Sequence, residues 1–252
     1  MNRHICFSLF TFLLLTSCLT NKNVATNQTY TFKLDTLNLF DQSRNRKIPI
    51  AIYKPQIDSP KIIIFSHGYG QNKGGDYLVY SYLTEYLASK GYFVVSIQHE
   101  LPTDSLMPLA GIPQIVRRPF WERGVDNILF TINELKKSHP ECDFKHIALI
   151  GHSNGADMTA LFPQKYPDQV YKIITLDNRR MALPRTNYPR VYSLRSSDQP
   201  ADQGVLPTDE EQKEYGITII KLPNTIHNQM DNKANDKQRK EIRDFIMTFL
   251  TE

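Results

Sequence analysis

A serine between two glycines is the first feature of this sequence that could carry out chemistry. The motif Gly-His-Ser-Asn-Gly at residues 151–155 follows an apolar stretch, residues 146–150, and precedes a segment whose apolar residues recur at helical spacing. Between a strand and a helix, a G-x-S-x-G motif forms a sharp turn that exposes the serine hydroxyl. Glycines are needed there because larger side chains would collide with the neighbouring strand and helix. We therefore predict that Ser153 is a nucleophile.

A serine hydroxyl is a weak nucleophile, so Ser153 needs a base that accepts its proton. Among the seven histidines, His227 lies in the loop 222–231, after the last predicted strand and before the final predicted helix. A loop at that edge of a sheet can return to the strand end that carries the serine. The other histidines lie in the N-terminal segment, at the opposite end of the sheet, inside the serine motif or at the ends of earlier strands. We predict that His227 is the base.

The base in turn needs an acid that orients the imidazole and stabilises its protonated form. Asp198 follows the predicted strand 190–195 by a few residues, and Asp177 ends the predicted strand 171–176. The arginines at positions 179 and 180 give Asp177 an alternative role as an ion-pair partner. We prefer Asp198 as the acid and keep Asp177 as the alternative.

The elements that must position these residues alternate between strands and helices. Such alternation is typical of a parallel sheet with helices on both faces, and sites in such sheets form at the carboxyl ends of the strands. We therefore predict an α/β fold with a mostly parallel eight-stranded sheet in one domain, residues 30–252. The predicted strands are 30–40, 47–54, 61–66, 92–97, 146–150, 171–176, 190–195 and 217–222, the first two forming a hairpin; the predicted helices are 76–90, 122–137, 154–166 and 236–250.

From about residue 45 to the end, the order of these motifs resembles the α/β-hydrolase superfamily. The resemblance rests on Ser-His-Gly-Tyr-Gly at residues 66–70, on the serine motif, on a following aspartate and on His227. Within the superfamily, the chain is most similar to the dienelactone-hydrolase-like and platelet-activating-factor-acetylhydrolase-like esterases. That closer similarity rests on Leu-Asp at residues 176–177 and on residues 227–231, and it favours Asp177 as the acid.

The resemblance also implies an oxyanion hole next to the serine. The backbone N–H groups of Tyr69 and Asn154 are expected to form it, one from the loop after the third strand and one from the residue after the nucleophile. We expect His67 to brace that loop by hydrogen bonds. Substrate contacts are expected from the long segment 99–121, which is rich in apolar side chains.

The N-terminus predicts export and lipidation. Arg3 precedes an apolar run, residues 5–15, that is too short to span a bilayer and is typical of a secretory signal. The run ends in Leu-Thr-Ser-Cys, which resembles the lipobox of bacterial lipoproteins. We expect residues 1–17 to be a signal peptide, Cys18 to carry the lipid that anchors the protein in the membrane of the cell envelope, and the polar residues 18–29 to be a tether. The alternative is an ordinary secretory signal cleaved nearby.

The composition argues against nucleic acid as a partner, because a net charge of +4 over 252 residues is small and dispersed. The predicted chemistry requires neither a metal nor an organic cofactor. We predict a serine hydrolase that cleaves a small-molecule carboxylic ester through an acyl-enzyme. Two alternatives remain: a serine peptidase or amidase with the same three residues, and a catalytically silent, lipid-anchored binding protein.

Overall fold

The structure is a computed structural model that describes residues 28–252. The predicted signal peptide, Cys18 and nearly all of the predicted tether lie outside the described residues. The elements follow one another as β1 (Phe32–Asp41), β2 (Arg46–Pro55), β3 (Lys61–Ser66), α1 (Ser81–Ser89), β4 (Phe93–Ile97), α2 (Pro113–Val116), α3 (Arg118–Ser138), β5 (Asp143–His152), α4 (Asn154–Lys165), β6 (Lys172–Leu176), β7 (Arg190–Arg195), α5 (Asp209–Tyr215), β8 (Thr218–Lys221) and α6 (Asp236–Thr251).

The strands form one sheet in the order β1-β2-β4-β3-β5-β6-β7-β8. β2 is antiparallel to both β1 and β4, and all other neighbours are parallel. The predicted hairpin is present, with Phe32 paired to Pro55 and Asp41 paired to Arg46. The predicted α/β class with a mostly parallel eight-stranded sheet is therefore confirmed.

Both faces of the central strands are buried, which explains why β3 is an unbroken apolar run. Ile62 and Ile64 pack in the core that contains side chains of α3 and α4, whereas Ile63 and Phe65 pack in the core that contains side chains of α1 and α6. Alternate side chains of a strand point to opposite faces, so helices on both sides are needed to cover them. Each fully buried side chain of this size stabilises the fold by about 1.5–3 kcal/mol.

The helices differ from the prediction at their ends, and the two short helices α2 and α5 were not predicted. Residues 76–78 form a 3₁₀ turn, so α1 begins only at Ser81, and α3 begins at Arg118, four residues before the predicted start. Helix α5 was missed because it is short. Its ends do carry sequence signals: Thr208 and Glu211 form a capping box, and Gly216 ends the helix at φ 63°.

The described chain begins against α1. The backbone N–H of Tyr30 donates a hydrogen bond of 2.8 Å to the carbonyl of Ser89. Within residues 28–252, no helix combines the length and the apolar character that crossing a membrane requires.

Candidate active site

The serine motif forms a strained turn between β5 and α4. Ser153 has φ 53° and ψ −117°, a backbone conformation that residues other than glycine adopt at a cost of about 1–3 kcal/mol. A Cβ atom on Gly151 would lie 2.3 Å from the carbonyl oxygen of Gly155, and one on Gly155 would lie 2.3 Å from that of Ser66. The two glycines are therefore required because backbone from the helix and from β3 occupies the space of their missing side chains.

Gly155→Ala is expected to destabilise the fold by at least about 3 kcal/mol, since the collision is with backbone that cannot rotate away. Urea unfolding followed by circular dichroism measures the loss. Gly204→Ala is the matched control, because Gly204 has φ 78° but no heavy atom within 4 Å of an added Cβ. The Gly204→Ala control should lose only the cost of a left-handed backbone, about 1–2 kcal/mol, and an equal loss in both variants would contradict the steric account.

Ser153 and His227 are in direct contact. His227 begins the short 3₁₀ turn His227–Gln229 that follows β8, and its Nε2 lies 2.9 Å from Ser153 Oγ. Its Nδ1 lies 2.5 Å from Oδ2 of Asp177, which is fully buried. The arrangement lets Nε2 accept the hydroxyl proton of Ser153 while Nδ1–H donates to the carboxylate, as a nucleophile, a base and an acid require.

Asp198 does not contact the imidazole, so our preference for it as the acid is wrong in this structure. Its Oδ1 instead accepts a hydrogen bond of 2.7 Å from the backbone N–H of His227, which fixes the start of the turn. The difference arises from the sheet order: β6, which ends just before Asp177, is the immediate neighbour of β5, which ends just before Ser153. The carboxylate of Asp177 therefore lies beside the serine turn.

Asp177 also contacts groups that the sequence analysis missed. Its Oδ1 accepts a hydrogen bond from Ser196 N–H and lies 3.0 Å from Nη2 of the buried Arg195, while its Oδ2 accepts from the Ser196 hydroxyl. Burial acts to raise the pKa of Asp177, but the hydrogen bonds from His227 and Ser196 and the charge of Arg195 outweigh it, so the pKa is lowered. The carboxylate is therefore held ionised.

The two residues expected to form the oxyanion hole lie beside Ser153. Tyr69 and Asn154 line the same cavity as the serine, and Asn154 is the first residue of α4, where backbone N–H groups have no partner within the helix. The Asn154 side chain is fixed on both sides: Trp121 Nε1 donates to its Oδ1 at 2.8 Å, and its Nδ2 donates to Glu100 at 2.8 Å. These contacts hold the start of the helix in place.

His67 braces the loop after β3, as expected. Its Nε2 accepts a hydrogen bond of 3.0 Å from the backbone N–H of His99, so its Nδ1 carries the proton and donates to the carbonyl of Gly68 at 2.6 Å. The imidazole thus ties the loop that carries Tyr69 to the end of β4.

A second buried chain of hydrogen bonds, not found from the sequence, joins this loop to the base. Gly68 N–H donates to the Tyr80 hydroxyl at 3.0 Å, the hydroxyl donates to Nδ1 of His152 at 2.8 Å, and Nε2–H of His152 donates to the carbonyl of His227 at 3.1 Å. This pattern requires neutral His152. Burial, together with the nearby imidazole of His227, lowers the pKa of His152 to about 3. His152 therefore positions the base instead of exchanging protons near neutral pH.

The lowered pKa of His152 predicts a pH dependence of stability. The unfolded imidazole binds a proton below about pH 6.5, whereas the folded one does so only near pH 3, so acidification through this window favours unfolding. His152→Gln, which keeps an N–H donor, should reduce the slope of unfolding free energy against pH by up to about 1.4 kcal/mol per pH unit between pH 6 and 4. Urea unfolding at several pH values measures this slope. Equal slopes in the native protein and in His152→Gln would contradict a neutral His152.

Two cavities meet at Ser153. The smaller, of about 120 Å³, contains Tyr69, Asn154 and three arginines, and the larger, of about 480 Å³, contains His227. The segment 99–121 lines the smaller cavity through Met107, Leu109 and Arg117. The remainder of that segment includes α2 and the start of α3, so substrate contact from its whole length is not supported.

Comparison with solved structures supports the fold assignment. Neither family models nor curated proteins match the sequence. One of two fungal esterases from Rhizomucor miehei is 12% identical with a TM-score of 0.62, covering 90% of this chain and 85% of the other. The esterase Est22 is 14% identical with a TM-score of 0.63, covering 87% and 81%. Pyrococcus horikoshii acylaminoacyl peptidase is 17% identical with a TM-score of 0.64, covering 89% and 42%. The chain has the α/β-hydrolase fold.

Proposed function

We propose that the protein is a serine hydrolase that cleaves a carboxylic ester. The observation that carries the proposal is the hydrogen-bonded series Ser153–His227–Asp177, with distances of 2.9 Å and 2.5 Å, at a strained turn above the sheet. A catalytically silent binding protein has no need of this alignment. The strain at Ser153 in particular is typical of a functional position.

The reaction follows from the positions of the three side chains. Ser153 Oγ attacks the ester carbonyl carbon as its proton passes to Nε2 of His227, and the backbone N–H groups of Tyr69 and Asn154 stabilise the oxyanion. The bond to the alcohol then breaks, and His227 returns the proton to the leaving oxygen. Water, activated by His227, attacks the acyl-enzyme and releases the acid with Ser153 restored.

A peptidase or amidase with the same triad is the second candidate, because one of the similar folds belongs to acylaminoacyl peptidase. The similarity covers 42% of that peptidase chain, compared with 81–85% of the two esterase chains. An ester is our choice because the fold similarity extends over most of each esterase.

Matched substrates distinguish the two activities. The soluble domain from residue 21 onward should hydrolyse p-nitrophenyl acetate and p-nitrophenyl butyrate, and hydrolyse the corresponding p-nitroanilides at least 100-fold more slowly. Comparable or faster hydrolysis of the anilides would replace the esterase proposal by the amidase. If no substrate of either series is cleaved by the native protein, the hydrolase proposal is contradicted.

We also propose that the enzyme is anchored to a membrane of the bacterial cell envelope through a lipid on Cys18. The support is the apolar run of residues 5–15 followed by Leu-Thr-Ser-Cys. Cys18→Ala should yield an uncleaved or soluble product without lipid, which mass spectrometry and membrane fractionation measure in a bacterial host. Unchanged cleavage and membrane partitioning in the variant would contradict the anchor.

A further inference from the structure

The small cavity beside Ser153 carries an unusual concentration of positive charge. Its lining includes Arg117, where α2 meets α3, and Arg179 and Arg180, which follow β6. The rest of the lining is apolar or belongs to the site described above, apart from Asp157.

The carboxylates near the cavity leave much of this charge without a partner. Arg180 forms an ion pair with Asp202. Within residues 28–252, neither Arg117 nor Arg179 has a carboxylate oxygen within 4.0 Å of a guanidinium nitrogen. Arg117 Nε donates to the backbone carbonyl of Pro108, and Arg179 Nη1 donates to the side-chain oxygen of Gln199. Arg179 Nε is buried without a hydrogen-bond partner.

The remaining acid of the lining, Asp157, does not neutralise the arginines directly. Its Oδ1 accepts hydrogen bonds from the backbone N–H groups of Arg179, Arg180 and Met181, at 2.9–3.1 Å. Burial raises the pKa of Asp157 to about 6, although these backbone donors act to lower it. The pKa of Arg117 is lowered by burial and then by the charge of Arg180, with Arg179 contributing in the same direction. The three guanidinium groups therefore repel one another, and an anion between them would relieve that repulsion.

The position of the base indicates which part of an ester enters this cavity. His227 must give a proton to the leaving alcohol, and it lines the larger cavity and not the smaller one. The alcohol therefore leaves on the side of the larger cavity. The acyl chain extends past Tyr69 and Asn154 into the smaller cavity, toward the arginines.

The volume limits the length of that acyl chain. The cavity is small, with a volume of about 120 Å³, so a short acyl chain fits it better than a long one. Two methylene groups and a carboxylate fit this space, and a carboxylate is the group that the planar guanidinium binds through paired hydrogen bonds.

We infer that the small cavity is an anion-binding acyl subsite and that the substrate is a monoester of a short dicarboxylic acid, with succinate as the best fit. The inference rests on the proposed esterase function. It names the acyl group that the Ser153 site accepts, and it assigns Arg117 and Arg179 as the residues that select it.

Two esters of the same shape test the inference. Monomethyl succinate ends in a carboxylate, and methyl 4-methylpentanoate places an isopropyl group at the same position. Acid release in a pH-stat at low salt should give a kcat/KM at least tenfold higher for monomethyl succinate, since hydrogen bonds between charged groups contribute more than neutral ones. The ratio should decrease as salt is added, because salt screens exposed charges.

Variants of the arginines identify which residues cause the preference for monomethyl succinate. Arg117→Met and Arg179→Met should each reduce the ratio severalfold, whereas Arg179→Lys should retain part of it. Arg118→Met is the matched control, because Arg118 pairs with Glu122 and is outside the cavity lining. A ratio near one in the native protein, or an unchanged ratio in both Met variants, would overturn the anion subsite while leaving the esterase proposal intact.

A second measurement follows the labelling of Ser153 instead of the release of acid. Both esters are used to slow the labelling of Ser153 by a fluorophosphonate, and monomethyl succinate should protect at a concentration at least tenfold lower. Equal protection by both esters would overturn the inference. Absence of any labelling at Ser153 would instead contradict the proposed function, and the inference with it.

Discussion

Ser153→Ala is expected to lower kcat for ester hydrolysis by roughly 10⁴- to 10⁶-fold, because no acyl-enzyme can form without the hydroxyl. The remaining hydrogen bonds of the site do not depend on Ser153 Oγ. His227 keeps its contact with Asp177, and its backbone N–H keeps its bond to Asp198. The measurement is the initial rate with p-nitrophenyl butyrate. Retention of even one tenth of the activity would contradict the assignment of the nucleophile.

Stability provides the control for this variant. Alanine at φ 53° is as strained as serine, so the unfolding free energy of Ser153→Ala should change by less than about 1 kcal/mol. Ser153→Gly removes backbone strain of about 1–3 kcal/mol from the folded state. Against this, glycine raises the entropy of the unfolded chain, which destabilises the fold by about 0.4–1 kcal/mol. Ser153→Gly should therefore be the more stable of the two inactive variants. Urea unfolding compares them.

Asp177→Asn should lower kcat by about 10⁴-fold, whereas Asp198→Asn should lower it less than tenfold. An asparagine at position 177 no longer stabilises the imidazolium and can favour the wrong tautomer of His227. At position 198, an asparagine oxygen can still accept the hydrogen bond from the His227 backbone. The same ester assay measures both variants, and the reverse order of effects would identify Asp198 as the acid.

Arg195 complicates the test, because Asp177→Asn leaves its guanidinium buried beside a neutral partner. Breaking such a buried pair costs about 3–5 kcal/mol, so thermal unfolding must be measured for the variant. If it is poorly folded, the double variant Asp177→Asn with Arg195→Met removes the unpaired charge. The double variant should recover stability but not activity.

The serine turn could be predicted from the sequence because its requirement is local. Two glycines, a preceding apolar strand and a following helical pattern define the turn within about twenty residues. His227 could be predicted almost as directly, since a loop between the last strand and the last helix lies at the correct edge of a parallel sheet.

The acid could not be chosen from the sequence because the choice depends on contacts between distant segments. Asp177 and Asp198 both follow strands that end at the same edge of the sheet, and only the structure shows which carboxylate reaches Nδ1 of His227. Spacing favoured Asp198 slightly. The residues at 176–177 and 227–231, which resemble the esterases named above, favoured the aspartate that the structure places at the imidazole.

The supporting hydrogen bonds were missed for the same reason. Tyr80 and His152 are 72 residues apart, and Arg195 meets Asp177 across two neighbouring strands. Nothing in their local sequence distinguishes them from core or surface residues. Their contacts form only when the fold brings the end of β6 beside β7 and the start of α1 beside the end of β5.

Covalent labelling with a fluorophosphonate, followed by intact and peptide mass spectrometry, tests the central claim most directly. The reagent reacts with a serine whose proton a neighbouring base accepts, and it requires no knowledge of the substrate. The account predicts a single adduct on Ser153 that forms much more slowly in Asp177→Asn and at nearly the native rate in Asp198→Asn. No adduct on the folded protein, or an adduct on another residue, would contradict the claim that Ser153, His227 and Asp177 form a catalytic triad.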